Sequence, residues 1–235
     1  MAAARDGGAP MTVQLMTNEL TRILKDAQIF ASTNTTLPII NAVHLEARNG
    51  ELIAVATDRF VLGVSKAPLD EAGESFEVAL PLRQVKSIVQ LAGACKQAFS
   101  QTALKVEDKK LSVAFSSGET LVLPVELESG PHRGWMQLLS AAADESPSKV
   151  MAVNPQLLAK FARVGGASTR LRLGFFGPSK PIRVSIGDDF VGLIMPVRID
   201  SEEAPEWAAP DWAKPQPEKP KRKPRAKRPS KAVPA

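Results

Sequence analysis

Three pairs of basic residues, Arg22 and Lys25, Arg83 and Lys86, and Lys160 and Arg163, stand three positions apart in apolar-periodic segments. On a helix that spacing makes the two members of each pair neighbours on one surface. The chemistry they offer is attraction of phosphate, independent of base sequence and driven by counterion release. A solvated helix must expose something charged, so a single pair would carry little weight; its threefold recurrence is the signal. Other reactive side chains are few. Cys95 is the sole cysteine, which excludes an intrachain disulfide, and with only His44 and His132 beside it the ligands for a four-ligand structural zinc site are too few. A Cys/His catalytic pair competes with a buried inert thiol, and the thiol is the better reading. Asp188-Asp189 follows Gly187 and reads first as a turn. With no glycine-rich phosphate loop and no Gly-x-Ser-x-Gly elbow, the expectation is a protein without catalysis, metal or cofactor.

Charge divides along the chain. Nine of the 30 Lys and Arg lie from Lys214 onward against one acid, Glu218, which leaves 21 basic and 24 acidic side chains in the first 213 residues. The basic pairs therefore sit on a mildly acidic body. Eight of the 19 prolines fall between Pro205 and Pro234, and proline with like charge predicts a disordered, extended segment over 201–235. Within it Glu206-Trp-Ala-Ala-Pro210 and Asp211-Trp-Ala-Lys-Pro215 form a duplicated unit, and the basic run reads as a nonspecific DNA tether. No apolar run approaches the ~18 residues of a membrane span, and the N-terminus lacks the apolar stretch of a secretory signal. A cytoplasmic protein is expected.

The elements that must position the pairs recur in one order three times. The first unit runs from a strand at Thr12 to Leu15 through a helix capped by Thr17 or Asn18, with Leu20, Ile23, Leu24 and Ala27 on its apolar face. Strands at Val43 to Ala47, Leu52 to Ala56 and Val61 to Val64 follow, the first two joined through Asn49-Gly50. The second unit opens at Phe76 to Leu80, places Pro81 in the first helical turn, and continues with strands at Leu104 to Val106, Leu111 to Phe115 and Leu121 to Val125. The third opens at Val150 to Val153, caps its helix with Asn154 before Pro155, and ends in strands at Leu171 to Phe175, Ile182 to Ile186 and Phe190 to Met195. One helix per run of strands predicts an α+β fold of repeated strand-helix-three-strand units, with the helices on one face of mainly antiparallel sheets. The division expected is a disordered N-terminus over 1–10, a two-unit domain over 11–127, a linker over 128–149, a third unit over 150–200, and the basic tail over 201–235.

Leu37-Pro-Ile-Ile-Asn41, Val43-His-Leu-Glu-Ala47, Asn49-Gly50 and Leu52-Ile-Ala-Val-Ala-Thr-Asp58, together with Val191-Gly-Leu-Ile-Met-Pro-Val-Arg-Ile199, resemble the bacterial DNA polymerase III beta subunit, the sliding clamp family, over roughly residues 11–199. The resemblance implies a DNA replication processivity factor whose helices face duplex DNA and whose partners are DNA polymerase and clamp loader peptides. It implies DNA contacts by Arg22, Lys25, Arg83, Lys86, Lys160 and Arg163. It further implies a peptide-binding pocket drawn from Thr57, Asp58, Leu62, Met195, Pro196, Val197 and Arg198. A plainer reading has Thr57-Asp58 ending a strand and Met195 in the core. Family members commonly place Gly-His-Arg after Thr-Asp where this chain has Arg59-Phe60-Val61. They also carry six units and close a ring as dimers, whereas three units per chain imply a homo-oligomer of four for a twelve-unit ring. The rival reading is a non-encircling clamp-like adaptor that binds peptides or nucleic acid.

Overall fold

A computed structural model describes residues 11–71, 75–95, 99–125, 134–141, 151–165, 170–177 and 180–198. The expected disorder at 1–10 and 201–235, His132 and most of the expected linker lie outside the described residues. The order of elements is β1 (Met11–Met16), α1 (Thr17–Gln28), β2 (Ala42–Arg48), β3 (Glu51–Thr57), β4 (Val61–Pro68), β5 (Phe76–Pro81), α2 (Leu82–Ala94), β6 (Gln101–Glu107), β7 (Lys110–Phe115), β8 (Thr120–Pro124), α3 (Trp135–Ala141), α4 (Pro155–Phe161), β9 (Leu171–Gly174), β10 (Ile182–Ile186) and β11 (Phe190–Ile194). The class is α+β, and every strand pair is antiparallel.

Local chemistry explains the elements. In β6 and β7 alternate residues are buried, so Leu104, Val106, Leu111 and Val113 reach the core while Lys105 and Ser112 turn away. In α1 the residues Leu20, Ile23, Leu24 and Ala27 are fully buried, as their helical spacing predicts. Asn49 and Gly50 both take positive φ, 52° and 76°, as a two-residue hairpin turn between β2 and β3 requires. Asp108 and Lys109 do the same between β6 and β7 without a glycine, at 49° and 59°.

Two helix starts differ from expectation. The N-cap of α1 is Met16, without a side-chain cap. The Thr17 hydroxyl instead joins Ser100 Oγ at 3.0 Å and Thr102 Oγ1 at 2.8 Å in a buried cluster. Pro81 ends β5 and precedes the helix rather than entering it. Asn154 behaves as expected: its side chain accepts the Gln156 N–H at 2.9 Å, with Pro155 opening α4.

The strands form a four-stranded sheet, β1-β6-β7-β8, and a seven-stranded sheet, β5-β2-β3-β4-β11-β10-β9. The first two units thus exchange their opening strands: β1 of the first extends the strands of the second, and β5 of the second extends those of the first. Helices α1 and α2 pack on each other and on strands of the seven-stranded sheet. The third unit joins the first through β4 and β11, with Gly63 opposite Gly192. Each glycine leaves room for a ring, Gly63 for Phe30 and Gly192 for Phe161. The two rings meet across the seam, their centroids 4.8 Å apart. The third unit's opening segment is reduced to an isolated bridge between Ala152 and Val197.

The stretch expected to be linker contains α3. Trp135 packs on a second, smaller apolar cluster of Ile53, Val55, Leu62, Val64 and Leu193. The Arg48 guanidinium lies 5.6 Å from the Trp135 ring centroid. Its apolar residues Trp135, Met136, Leu138 and Leu139 span little more than one turn, too short a pattern to reveal the helix from sequence.

Candidate functional site

Two concave surfaces gather the residues singled out above. The first is an apolar cleft of about 500 Å³ at the junction of the first and third units, a volume suited to a few side chains of a bound segment. Thr57 and Leu62 line it from the first unit and Met195 from the third. The two segments are joined directly, the Met195 N–H donating to the Phe60 carbonyl at 2.9 Å. Met195 is 42% exposed, so it is a cleft residue rather than a core one, and Phe60 and Ile39 beside it are exposed still further.

Asp58 does not line the cleft; it builds its rim. One carboxylate oxygen accepts the N–H groups of Phe60 and Val61, each at 3.0 Å. The other accepts Lys160 Nζ at 2.6 Å, tying α4 to the first unit. Thr57 Oγ1 donates to the Val61 carbonyl at 2.7 Å and accepts the Arg59 N–H at 3.1 Å. These bonds hold Arg59 at φ 81°, the left-handed region that favours glycine. The loop therefore keeps a glycine-like backbone at the position where the clamp pattern has glycine. Pro196, Val197 and Arg198 continue past the cleft without lining it, and the Val197 N–H goes to the Ala152 carbonyl at 2.8 Å.

Sequence reasoning did not assign the opposite wall, Leu37 to Ile40, to the cleft, nor Leu138 of α3 and Pro181. The signal available for the first was an apolar Leu-Pro-Ile-Ile run outside any helical or strand period, following the polar Ser32 to Thr36. Exposed apolar loops of that kind are costly unless they serve as contact surfaces.

The second concavity, about 600 Å³, is formed by α1 from Thr17 to Asp26, the C-terminal end of α2, Phe99 and Ser100, and the segment after α4. Arg22, Lys25 and Arg163 share it. Lys25 and Arg163 are exposed, whereas Arg22 is largely consumed: its guanidinium donates to Glu19 Oε2 at 2.7 Å, to the Lys66 carbonyl at 2.6 Å and to Ser65 Oγ at 3.2 Å. Arg83 and Lys86 are exposed at the far end of α2, outside this concavity. Lys160 is turned to Asp58. Of the three pairs, the structure thus brings together exposed Lys25 of α1 and exposed Arg163, two residues past the end of α4, and leaves the α2 pair apart.

Beneath the basic concavity Asp26 is 1% exposed. Burial holds its carboxyl above the usual carboxylate range, against the lowering pull of the Gly165 N–H, the Ser65 hydroxyl and the Arg22 charge. The Gly165 N–H reaches Asp26 Oδ1 at 2.8 Å and the Ser65 hydroxyl reaches Oδ2 at 3.1 Å. Asp26 is therefore a second lock between the first and third units. Cys95 is half-buried, its thiol near the Leu91 carbonyl and accepting from Ser117 Oγ at 3.0 Å. No group of three or more metal-ligating side chains occurs among the described residues, and no described helix is long and apolar enough to cross a membrane.

Comparison with known proteins bears on the fold. Residues 14–122 match the family model described as DNA polymerase III beta subunit, central domain. The beta sliding clamp of Rickettsia bellii (strain RML369-C) is 23% identical over 141 residues, which cover 60% of this chain and 36% of that protein. The chain thus aligns with little more than a third of that relative's length. Among solved structures, the beta subunit of Thermotoga maritima superposes with a TM-score of 0.64 at 15% identity, covering 85% of this chain and 68% of that one. The beta chain of Streptococcus pneumoniae superposes with a TM-score of 0.65 at 17% identity, covering 84% and 67%. At such identities the superpositions establish the shared fold.

Proposed function

We propose that this chain, which is similar to the DNA polymerase III beta subunits over residues 14–122 and shares their fold, works as a clamp-like processivity factor. In this reading it encircles or tracks duplex DNA as a homo-oligomer and tethers a replicative polymerase, without catalysing a reaction. The observation that carries the proposal is the apolar cleft. Its walls come from the Thr57 to Leu62 segment and from Met195, and a backbone hydrogen bond holds the two together. A short linear peptide with apolar side chains fits such a cleft, with Arg59 at the mouth available to an acidic group.

Lys25, Arg163, Arg83 and Lys86 supply the exposed positive charge for phosphate contacts. Arg22 and Lys160, engaged by carboxylates at 2.7 and 2.6 Å, support the surface from within. The basic tail from Lys214 onward adds a tether that raises the local concentration near DNA. The internal use of Arg22 and Lys160 is also what favours the second reading, a non-encircling adaptor with a weaker hold on nucleic acid.

The test uses the full chain and a synthetic peptide copying the C-terminal tail of a bacterial replicative polymerase. Replacing Met195 and Pro196 by Ala lowers its affinity about tenfold, as loss of a central apolar anchor does, and leaves the circular dichroism spectrum unchanged. Unaltered affinity, or a photo-crosslink that maps outside the cleft, refutes the assignment.

A further inference from the structure

The third unit is half of a domain. In the first two units each opening strand extends the other's sheet, β1 on β6 and β5 on β2, while α1 packs on α2. That arrangement is reciprocal: exchanging the two units reproduces it. The third unit carries α4 and β9 to β11 in the order of α1 and β2 to β4, its opening segment present as the bridge between Ala152 and Val197. The Asp70 N–H closes the first unit on the Gln14 carbonyl at 2.9 Å, and the Val197 N–H closes the third on the Ala152 carbonyl at 2.8 Å.

What it lacks is the reciprocal half. Among the described residues β9 pairs only with β10, so its outer edge carries no strand, and α4 has no counterpart of α2 against it. The exposed groove of about 570 Å³ between α4 and β9 includes Leu158, Val164, Leu171, Leu173 and Ile186. Leu171 and Leu173 are 40% and 39% exposed, and Phe175 just beyond them 41%. An apolar face beside an unpaired strand edge is a template for adding a strand.

We infer that this face is an interface between two copies of the chain, the third units pairing as the first and second do. The segment around Ala152 of each copy lies along the other's β9, and α4 packs on α4. The occupant follows from the repeat. The face is built to receive one strand-helix-three-strand unit in twofold relation, units one and two already fill each other, and the third unit of a second copy offers the matching parts. Such an isologous contact closes on itself. It unites six units in one body, and two such bodies would make the twelve-unit ring that the clamp reading needs. The inference rests on the clamp-type repeat but not on DNA binding, and its test contains no DNA, so its failure is separable from failure of the proposed function.

The test is sedimentation of the full chain with and without Leu171→Glu and Leu173→Glu, together with crosslinking. The wild type sediments at an even multiple of the monomer mass, and the double variant at half the wild-type mass with an unchanged circular dichroism spectrum. To locate the contact, a nitrogen-15-labelled Cys95→Ser, Arg172→Cys chain is mixed with an unlabelled Cys95→Ser, Met151→Cys chain and treated with a short bismaleimide. Peptides joining position 172 of one isotope to position 151 of the other are the expected product. A monomeric wild type, a mass unaffected by the two glutamates, or crosslinks from position 172 only to its own chain's 201–235 segment would each overturn the inference.

Discussion

The first and third units share an order of elements and differ in what surrounds them. In β2 five of seven residues are buried, and in β9 none is. Helix α1 buries six residues; α4 buries Phe161 alone. The apolar pattern is nevertheless similar, with Leu171 and Leu173 alternating as Val43 and Leu45 do. Alternation therefore reports which face a strand intends to bury, while burial itself depends on a neighbour that the strand does not encode. In the first unit β5 and α2 supply that neighbour. In the third unit no described residue does.

The largest test of this contrast sets Leu45→Glu against Leu173→Glu. A charge at Leu45, which is fully buried between paired strands, costs more than about 4 kcal/mol and unfolds the first unit. At Leu173 the same change keeps the separated chain within about 0.5 kcal/mol of wild type. Urea unfolding at low protein concentration compares the two, and equal losses would erase the distinction between the units.

The seam between the units offers a paired experiment. Gly63→Ala would drive a methyl into the Phe30 ring, and Gly192→Ala would place one 2.6 Å from the Leu62 carbonyl oxygen and from the Phe161 ring. Each costs about 1–3 kcal/mol by overpacking. Gly192 is the costlier position, because a carbonyl in a β-ladder cannot swing away as a ring edge can. Thermal unfolding of the two variants ranks them.

The smallest effect concerns Asp26. Because burial raises its carboxyl pKa in the folded chain, the fold favours the protonated form. Its stabilising contribution is complete below the unfolded carboxyl's range and is lost as pH rises through the raised folded value. Asn in its place does not titrate. The stability of wild type relative to Asp26→Asn should therefore fall with rising pH, by about 1.4 kcal/mol for every tenfold difference between the folded and unfolded acid dissociation constants. Urea midpoints measured on both sides of the carboxylate range read the slope, and a flat difference means that Asp26 is not strained by burial.

Much of this was legible from sequence for a physical reason: within a strand or helix, period and burial are coupled locally. Ile182–Ile186 was bounded as observed, and the Asn154-Pro155 start of α4 has the expected cap. The exchange of β1 and β5 was not legible, since antiparallel pairing between distant strands leaves no mark on either one. Nor was α3, a helix of seven residues whose Trp135 docks on the smaller apolar cluster. At the site, Thr57, Leu62 and Met195, which only the family resemblance singled out, line one cleft, whereas the Leu37 to Ile40 wall needed the fold to bring it opposite. The helical spacing of Arg22 with Lys25 puts both on one concavity, whereas Arg163 lies past the end of α4 and Lys160 turns away to Asp58. Which member of each pair is spent on a carboxylate depended on Glu19 and on Asp58, the latter far away in sequence.

Encirclement is the central claim, and retention on DNA measures it directly. The full chain is assembled on nicked circular duplex DNA and passed through a gel-filtration column at a salt concentration that removes nonspecific binding, before and after the circle is cut once. A clamp stays with the circle and leaves the linear molecule, and the Lys25→Glu, Arg163→Glu variant is retained less. Equal retention on both forms, or none on the circle, contradicts encirclement and leaves the non-encircling adaptor.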